Sequence, residues 1–139
     1  MRYLVVAHQT AQRPELVARL QEIHVQDREA EFTVLVPATP IEHLVLTEPG
    51  EREEIARRRA GAARRMLESA GLRVHDISVR TSSPTAAIRE EVRTHPSEYA
   101  AIVISTFPPA ISRWLKGNVK KRIERETGLP VIHVVAAPH

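Results

Sequence analysis

Cysteine is absent from the 139 residues. That absence excludes disulfides, thiolate metal sites and a cysteine nucleophile, and it suits a reducing compartment. Long apolar runs are missing as well. The opening MRYLVVAHQ places one basic residue before a handful of apolar ones, far short of a signal-peptide core or a membrane span, so a cytoplasmic chain with no membrane partner is expected. Neither sign of charge dominates: twenty Lys and Arg stand against seventeen Asp and Glu, a net charge of +3. So small a surplus, with acids beside most of the basic clusters, argues against nucleic acid as a partner. After the first apolar run, Tyr3 to Ala7, there are no close-set glycines and no Gly-rich turn followed by Lys. A dinucleotide fingerprint and a P-loop are both excluded there.

What is present is an alternation of short apolar runs with helical periodicity. The length fits one domain, residues 1–139, around a single core. Tyr3 to Ala7 predicts a buried strand opening into polar His8-Gln9-Thr10, and from Pro14 the residues Leu16, Val17, Leu20 and Ile23 recur at helical spacing. Phe32 to Pro37 predicts a second strand, and a proline-bearing loop leads to a long helix that begins near Glu48 to Glu51 and stops at Gly71. Ile55, Ala62, Ala63, Met66, Leu67 and Ala70 are expected to form its buried face. Val74 to Val79 is a third strand, and Thr81-Ser82-Ser83-Pro84 supplies capping hydroxyls for a helix with Ala87, Ile88 and Val92 inward. Ala100 to Ile104, a basic helix, and Pro130 to Val135 complete the order βαβαβαβαβ.

Such alternation predicts an α/β three-layer sandwich with a five-stranded parallel sheet, joined by right-handed crossovers, in the strand order 3-2-1-4-5. Ligands of open α/β sheets bind outside the carboxyl ends where the strand order reverses. Here that point lies between strands one and four, so His8-Gln9-Thr10 should face Ser105-Thr106-Phe107. The residues there exclude two further classes. A magnesium-holding receiver domain needs carboxylates after strands one and three, where this chain has His8, Gln9, Thr81 and Ser82. A flavodoxin-like loop needs several hydroxyls after strand one, where only Thr10 stands. No nucleophile, general base and orienting acid fall together, so no enzyme and no catalytic residue are expected.

The segment AIVISTFPPAISRWLKGNVKKRIERETGLPVIHVV resembles the final strand, loop, helix and strand of the universal stress proteins. Its Gly-Asn-Val helix and Gly-Leu-Pro-Val-Ile-His-Val exit are similar in layout to that family's Gly-Ser-Val helix and Pro-Val strand. A divergent subgroup with Leu-Val-Pro-Ala-Thr-Pro after strand two and Ile-Ser-Arg-Trp-Leu-Lys in the last helix is similar too. The resemblance covers nearly the whole chain and implies an adenine nucleotide alpha hydrolase-like fold, with dimers made by pairing the last strands, here Pro130 to Val135. In nucleotide-binding members the phosphates and ribose lie on a G-x2-G-x9-G-[ST] motif, with an Asp after strand one. This chain places Ser105 and Pro108 at the first two glycines, Gly117-Asn118 at the third pair after eight residues, and Gln9 at the Asp.

Glycine lets a backbone curl its N–H groups around a phosphate, and a helix N-terminus adds positive charge. Pro108 and Pro109 lack N–H groups and fix φ, which removes that cradle. The hydroxyls of Ser105, Thr106 and Ser112, the N–H groups of Ala110 and Ile111, and Arg113 remain. The expectation is a binding or regulatory module with no resident cofactor, taking a small polar or anionic ligand at Gln9, Thr10, Ser105, Thr106 and Asn118. The alternative is ATP or another adenine nucleotide held through Gly117-Asn118 and the hydroxyls, with slow hydrolysis.

Plainer roles account for the other conspicuous residues. Arg113, Lys116, Lys120, Lys121, Arg122 and Arg125 read as a solvated face beside the inner stripe Ile111, Leu115, Val119 and Ile123, with no aromatic interleaving beyond Trp114 for stacking on bases. Trp114 is expected to pack against a neighbouring element or partner chain. The seven histidines form no ligand pairs at helical spacing, and His8 reads as a capping or core-polar residue. Glu53 and Glu54 stand four residues before Arg57 and Arg58, the favourable order for ion pairs on a helix face.

Overall fold

The computed structural model describes residues 1–38, 49–108 and 118–137. Its elements are β1 (Arg2–Val6), α1 (Pro14–Gln26), β2 (Glu31–Pro37), α2 (Pro49–Ser69), β3 (Arg73–Arg80), α3 (Pro84–Thr94), β4 (Tyr99–Thr106), α4 (Val119–Thr127) and β5 (Val131–Val135). The five strands form one sheet in the order β3-β2-β1-β4-β5, every pairing parallel. This is the three-layer α/β arrangement that the alternating pattern predicts.

Two apolar clusters fill the space between the layers. On one face Val5, Phe32, Val34, Val36 and Val103 meet Leu16, Leu20 and Ile23 of α1 and Ala56, Ala60, Ala63 and Leu67 of α2. On the other, Leu4, Val6, Leu35, Ile102 and Ile104 meet Ala87 and Ile88 of α3 and Ile123 of α4. Strands buried on both faces read as continuous apolar runs, which is why β1 and β4 are legible in the sequence.

The α2 face meets expectation in part. Its inward stripe is Ala56, Ala60, Ala63 and Leu67, with Ala70 packed against it. Of the expected inner residues Ala63, Leu67 and Ala70 are therefore inward, whereas Met66 is 37% exposed and Ile55 and Ala62 line an open groove. Alanine carries little hydropathy, so the larger Ile55 and Met66 dominate the pattern, although small side chains are what bring this helix close to the sheet. The end of α2 is as expected. Gly71 has φ +85°, the Leu72 N–H donates to Leu67 O at 3.0 Å, and the Gly71 N–H donates to Glu68 O at 3.0 Å. This is a Schellman cap, closed by the buried pair Leu67 and Leu72.

β4 runs two residues further than the expected Ala100 to Ile104, so Ser105 and Thr106 are strand residues paired with Val134 and Val135 of β5. The Ser83 hydroxyl caps α3 by accepting from the Ala86 N–H at 3.4 Å, as the sequence predicts. Of the expected inner positions of the last helix, Ile123 is buried and Val119 packs beside it. Ile111 and Leu115 fall outside the described residues, as do Pro109, Ala110, Ser112, Arg113, Trp114, Lys116 and Gly117.

Candidate functional site

The strand order reverses between β1 and β4, where Val6 pairs with Ile104. The chain leaves β1 in a tight turn: the Ala11 N–H donates to His8 O at 3.2 Å and the Arg13 N–H to Thr10 O at 3.0 Å. That turn is tied to β4 by the Thr10 hydroxyl, which donates to Ser105 O at 3.0 Å in a buried bond. His8, Thr10, Ser105 and Thr106 are thereby brought to the carboxyl ends of two adjacent strands.

These groups are not equally free. A carbonyl can only accept, so Thr10 commits its single proton to Ser105 and keeps only acceptor capacity for anything else. The Thr106 hydroxyl is buried and lies 2.7 Å from His133 Nε2. That is a nucleophile-to-base distance, but the charge beside the ring is the Lys120 ammonium, which together with the larger effect of burial lowers the His133 pKa. A general base is oriented by a carboxylate, not by a cation. Ser105 differs from both. It is 4% exposed and its Oγ has no hydrogen-bond partner among the described residues, an arrangement costly enough to need a reason.

His8 is half-buried, and its Nδ1 is likewise buried without a partner among the described residues. Burial first, and the Arg59 guanidinium second, push its pKa down to about 4, so the ring is neutral at physiological pH. Gln9 is exposed at the rim. Asn118 is also exposed and precedes α4 with φ −91° and ψ 14°, and its side chain makes no cap bond. Gly117 lies outside the described residues. Among the described residues no cluster of three His, Asp or Glu could hold a metal ion, and no helix is long and apolar enough to cross a membrane.

Sequence reasoning did not single out α2 as part of this region. An open groove of about 580 Å³ runs between Gln12 of the β1–α1 turn and the α2 residues Glu54, Ile55, Arg57, Arg58, Arg59, Gly61, Ala62 and Arg65. Arg57 pairs with Glu53 at 2.7 Å and Arg58 with Glu54 at 3.5 Å, the partners the sequence predicts. Arg59 is half-buried, its charge acts on His8 of the switch point, and burial lowers its pKa. The signal that could have found it is the unmatched arginine in Arg57-Arg58-Arg59, since only two glutamates stand four residues before the run.

No protein-family model and no curated protein matches the sequence. Solved structures do. A universal stress protein from Archaeoglobus fulgidus in complex with dAMP is similar over 96% of this chain and 97% of its own, with a TM-score of 0.64 and 20% identity. A member of the same family from Burkholderia pseudomallei has a TM-score of 0.64 at 15% identity, covering 97% and 96%. An Arabidopsis thaliana family protein with AMP bound has a TM-score of 0.57 at 14% identity, covering 98% and 92%. The fold of this chain is that of the universal stress proteins.

Proposed function

We propose that this protein is a universal stress protein of a divergent kind, a single-domain binding or regulatory module without catalytic activity. Its ligand is a small polar or anionic molecule at the carboxyl ends of β1 and β4. The observation that carries this reading is the buried Ser105 hydroxyl at the end of β4, without a hydrogen-bond partner among the described residues, in a fold whose ligand crevice lies at that point. Gln9, Thr106 and Asn118 complete the rim, with Thr10 as an acceptor. Pro108 stands in the turn where the family places a glycine, so the ligand is held by side chains and not by a backbone cradle. The protein acts as a homodimer in the cytoplasm.

A second reading is supported by the similar proteins solved with dAMP and AMP. Under it, an adenine nucleotide binds through the turn before α4, at Gly117-Asn118, and ATP is slowly hydrolysed. Titrating the isotopically labelled chain with adenosine, AMP, ATP and a set of small carboxylates and sugars separates the two. The first reading expects at least one compound to shift the Ser105 and His8 resonances, and Ser105→Val to abolish the response. If no compound moves them in the folded protein, the reading is wrong. The second expects ATP to shift Asn118, Asn118→Asp to repel it, and phosphate to appear over hours.

A further inference from the structure

We propose that the α2 groove is an anion receptor in which Arg59 and Arg65 bind the phosphate groups of a small phosphorylated ligand. The proposal rests on the reading that the switch point is a ligand site, and it assigns the phosphate end of that ligand to α2. The turn before α4, the family's usual place, is not used.

Four arginines and one glutamate line the groove, but two of the arginines are already neutralised by Glu53 and Glu54. Arg59 and Arg65 have no ion pair among the described residues. Arg59 is half-buried, where a guanidinium without a carboxylate is costly to desolvate and an anion removes that cost. Arg65 is exposed and adds a second fork at the mouth of the groove. The Arg65 guanidinium folds back along the helix over Gly61, where an added Cβ would lie 3.7 Å from its Nη1. Arginine forks match phosphate oxygens in bidentate fashion, so no glycine cradle is needed. Arg59 also acts on His8, which links the groove to the crevice beside Ser105. A volume of about 580 Å³ suits a small molecule.

The local chemistry supplies a second readout. A bound anion cancels the Arg59 charge that helps to keep His8 neutral, so the His8 pKa should rise on binding. Linkage then requires the anion to bind more tightly where His8 can take up a proton.

The test is a titration of the full chain with inorganic tripolyphosphate at fixed ionic strength, following the arginine Nε–H signals and the His8 ring. Saturable shifts of Arg59 and Arg65 are expected, with a rise in the His8 pKa. Arg59→Gln should weaken binding at least tenfold, and Arg59→Lys, which keeps the charge but loses the fork, should fall between. Arg28→Gln removes the same charge from an exposed position in the α1–β2 turn, at the opposite end of the sheet, and should bind as the parent does. Equal weakening by Arg28→Gln, or undiminished binding by Arg59→Gln, overturns the proposal. If the small-molecule panel still marks Ser105 while tripolyphosphate leaves Arg59 unmoved, this inference fails and the ligand-site reading stands. If nothing marks Ser105, the ligand-site reading itself fails.

Discussion

Burial and the neighbouring Arg59 keep the His8 imidazole neutral down to about pH 4, whereas in an unfolded chain it titrates near pH 6.5. Between those values the unfolded state binds a proton that the native state does not. Stability should therefore fall as pH drops from about 6.5 to 4, and the His8 contribution should be level above that window. His133, also lowered, acts in the same direction, so the His8 part is read as a difference. His8→Asn should flatten the fall in urea midpoint between pH 7 and 4.5 relative to the parent. A second buried group carries a larger effect. Glu91 is 2% exposed and accepts from Ser78 Oγ at 3.0 Å, Arg80 Nε at 3.2 Å and Tyr99 Oη at 3.0 Å, joining α3 to β3 and β4. Glu91→Ala leaves Arg80 without its counter-charge and should cost about 3 kcal/mol in denaturant unfolding. Neither role is legible in sequence. Glu91 sits between the apolar Ile88 and Val92, and only the fold shows which distant residues answer it. Ser105 is recognisable by position, but its lack of a partner among the described residues depends on packing that no local pattern records.

At the scale of the element, α2 shows where hydropathy misleads. The helix and its glycine stop follow from local chemistry, since Gly71 takes the left-handed conformation that a Schellman cap requires. Its orientation follows only in part: Ala63, Leu67 and Ala70 are inward as expected, but Ala56 and Ala60 replace the larger Ile55 and Met66, because three of four inward positions are alanines. Rotating the helix to bury Ala56, Ala60 and Ala63 turns Ile55 and Ala62 into the groove and places Arg59 at the flank of the buried stripe. The proposed arginine receptor thus follows from the burial of Ala56 and Ala60, the side of the helix that periodicity missed. Ala60→Leu inserts three carbons into a fully buried position and should cost about 2 kcal/mol by overpacking. Ala62→Leu, on the groove side, should leave the denaturation midpoint nearly unchanged. Comparable losses from both would mean that the inward face has been misassigned.

For the whole molecule, strand order was legible because parallel sheets allow few topologies once strands and helices alternate. The same order makes β3 and β5 the edges, and the two edges differ. β3 carries Arg73, His75, Asp76 and Arg80 along RVHDISVR, charges that discourage pairing. β5 is VIHVV, with Val135 47% exposed. The proposed homodimer therefore forms along β5. The ladder to β4 allows this interface to be tested without harming the fold. The Ile102 N–H donates to Pro130 O at 2.9 Å, and the Ala136 N–H donates to Thr106 O at 2.8 Å. In a parallel ladder, alternate residues face each neighbour, so Pro130, Ile132, Val134 and Ala136 address β4 while Val131, His133 and Val135 turn their N–H and C=O groups outward. Val135→Pro removes an outward N–H and no bond to β4, and edge strands tolerate proline. Light scattering should find a dimer for the parent and a monomer with an unchanged far-ultraviolet spectrum for Val135→Pro. A variant that remains dimeric would place the interface on another surface.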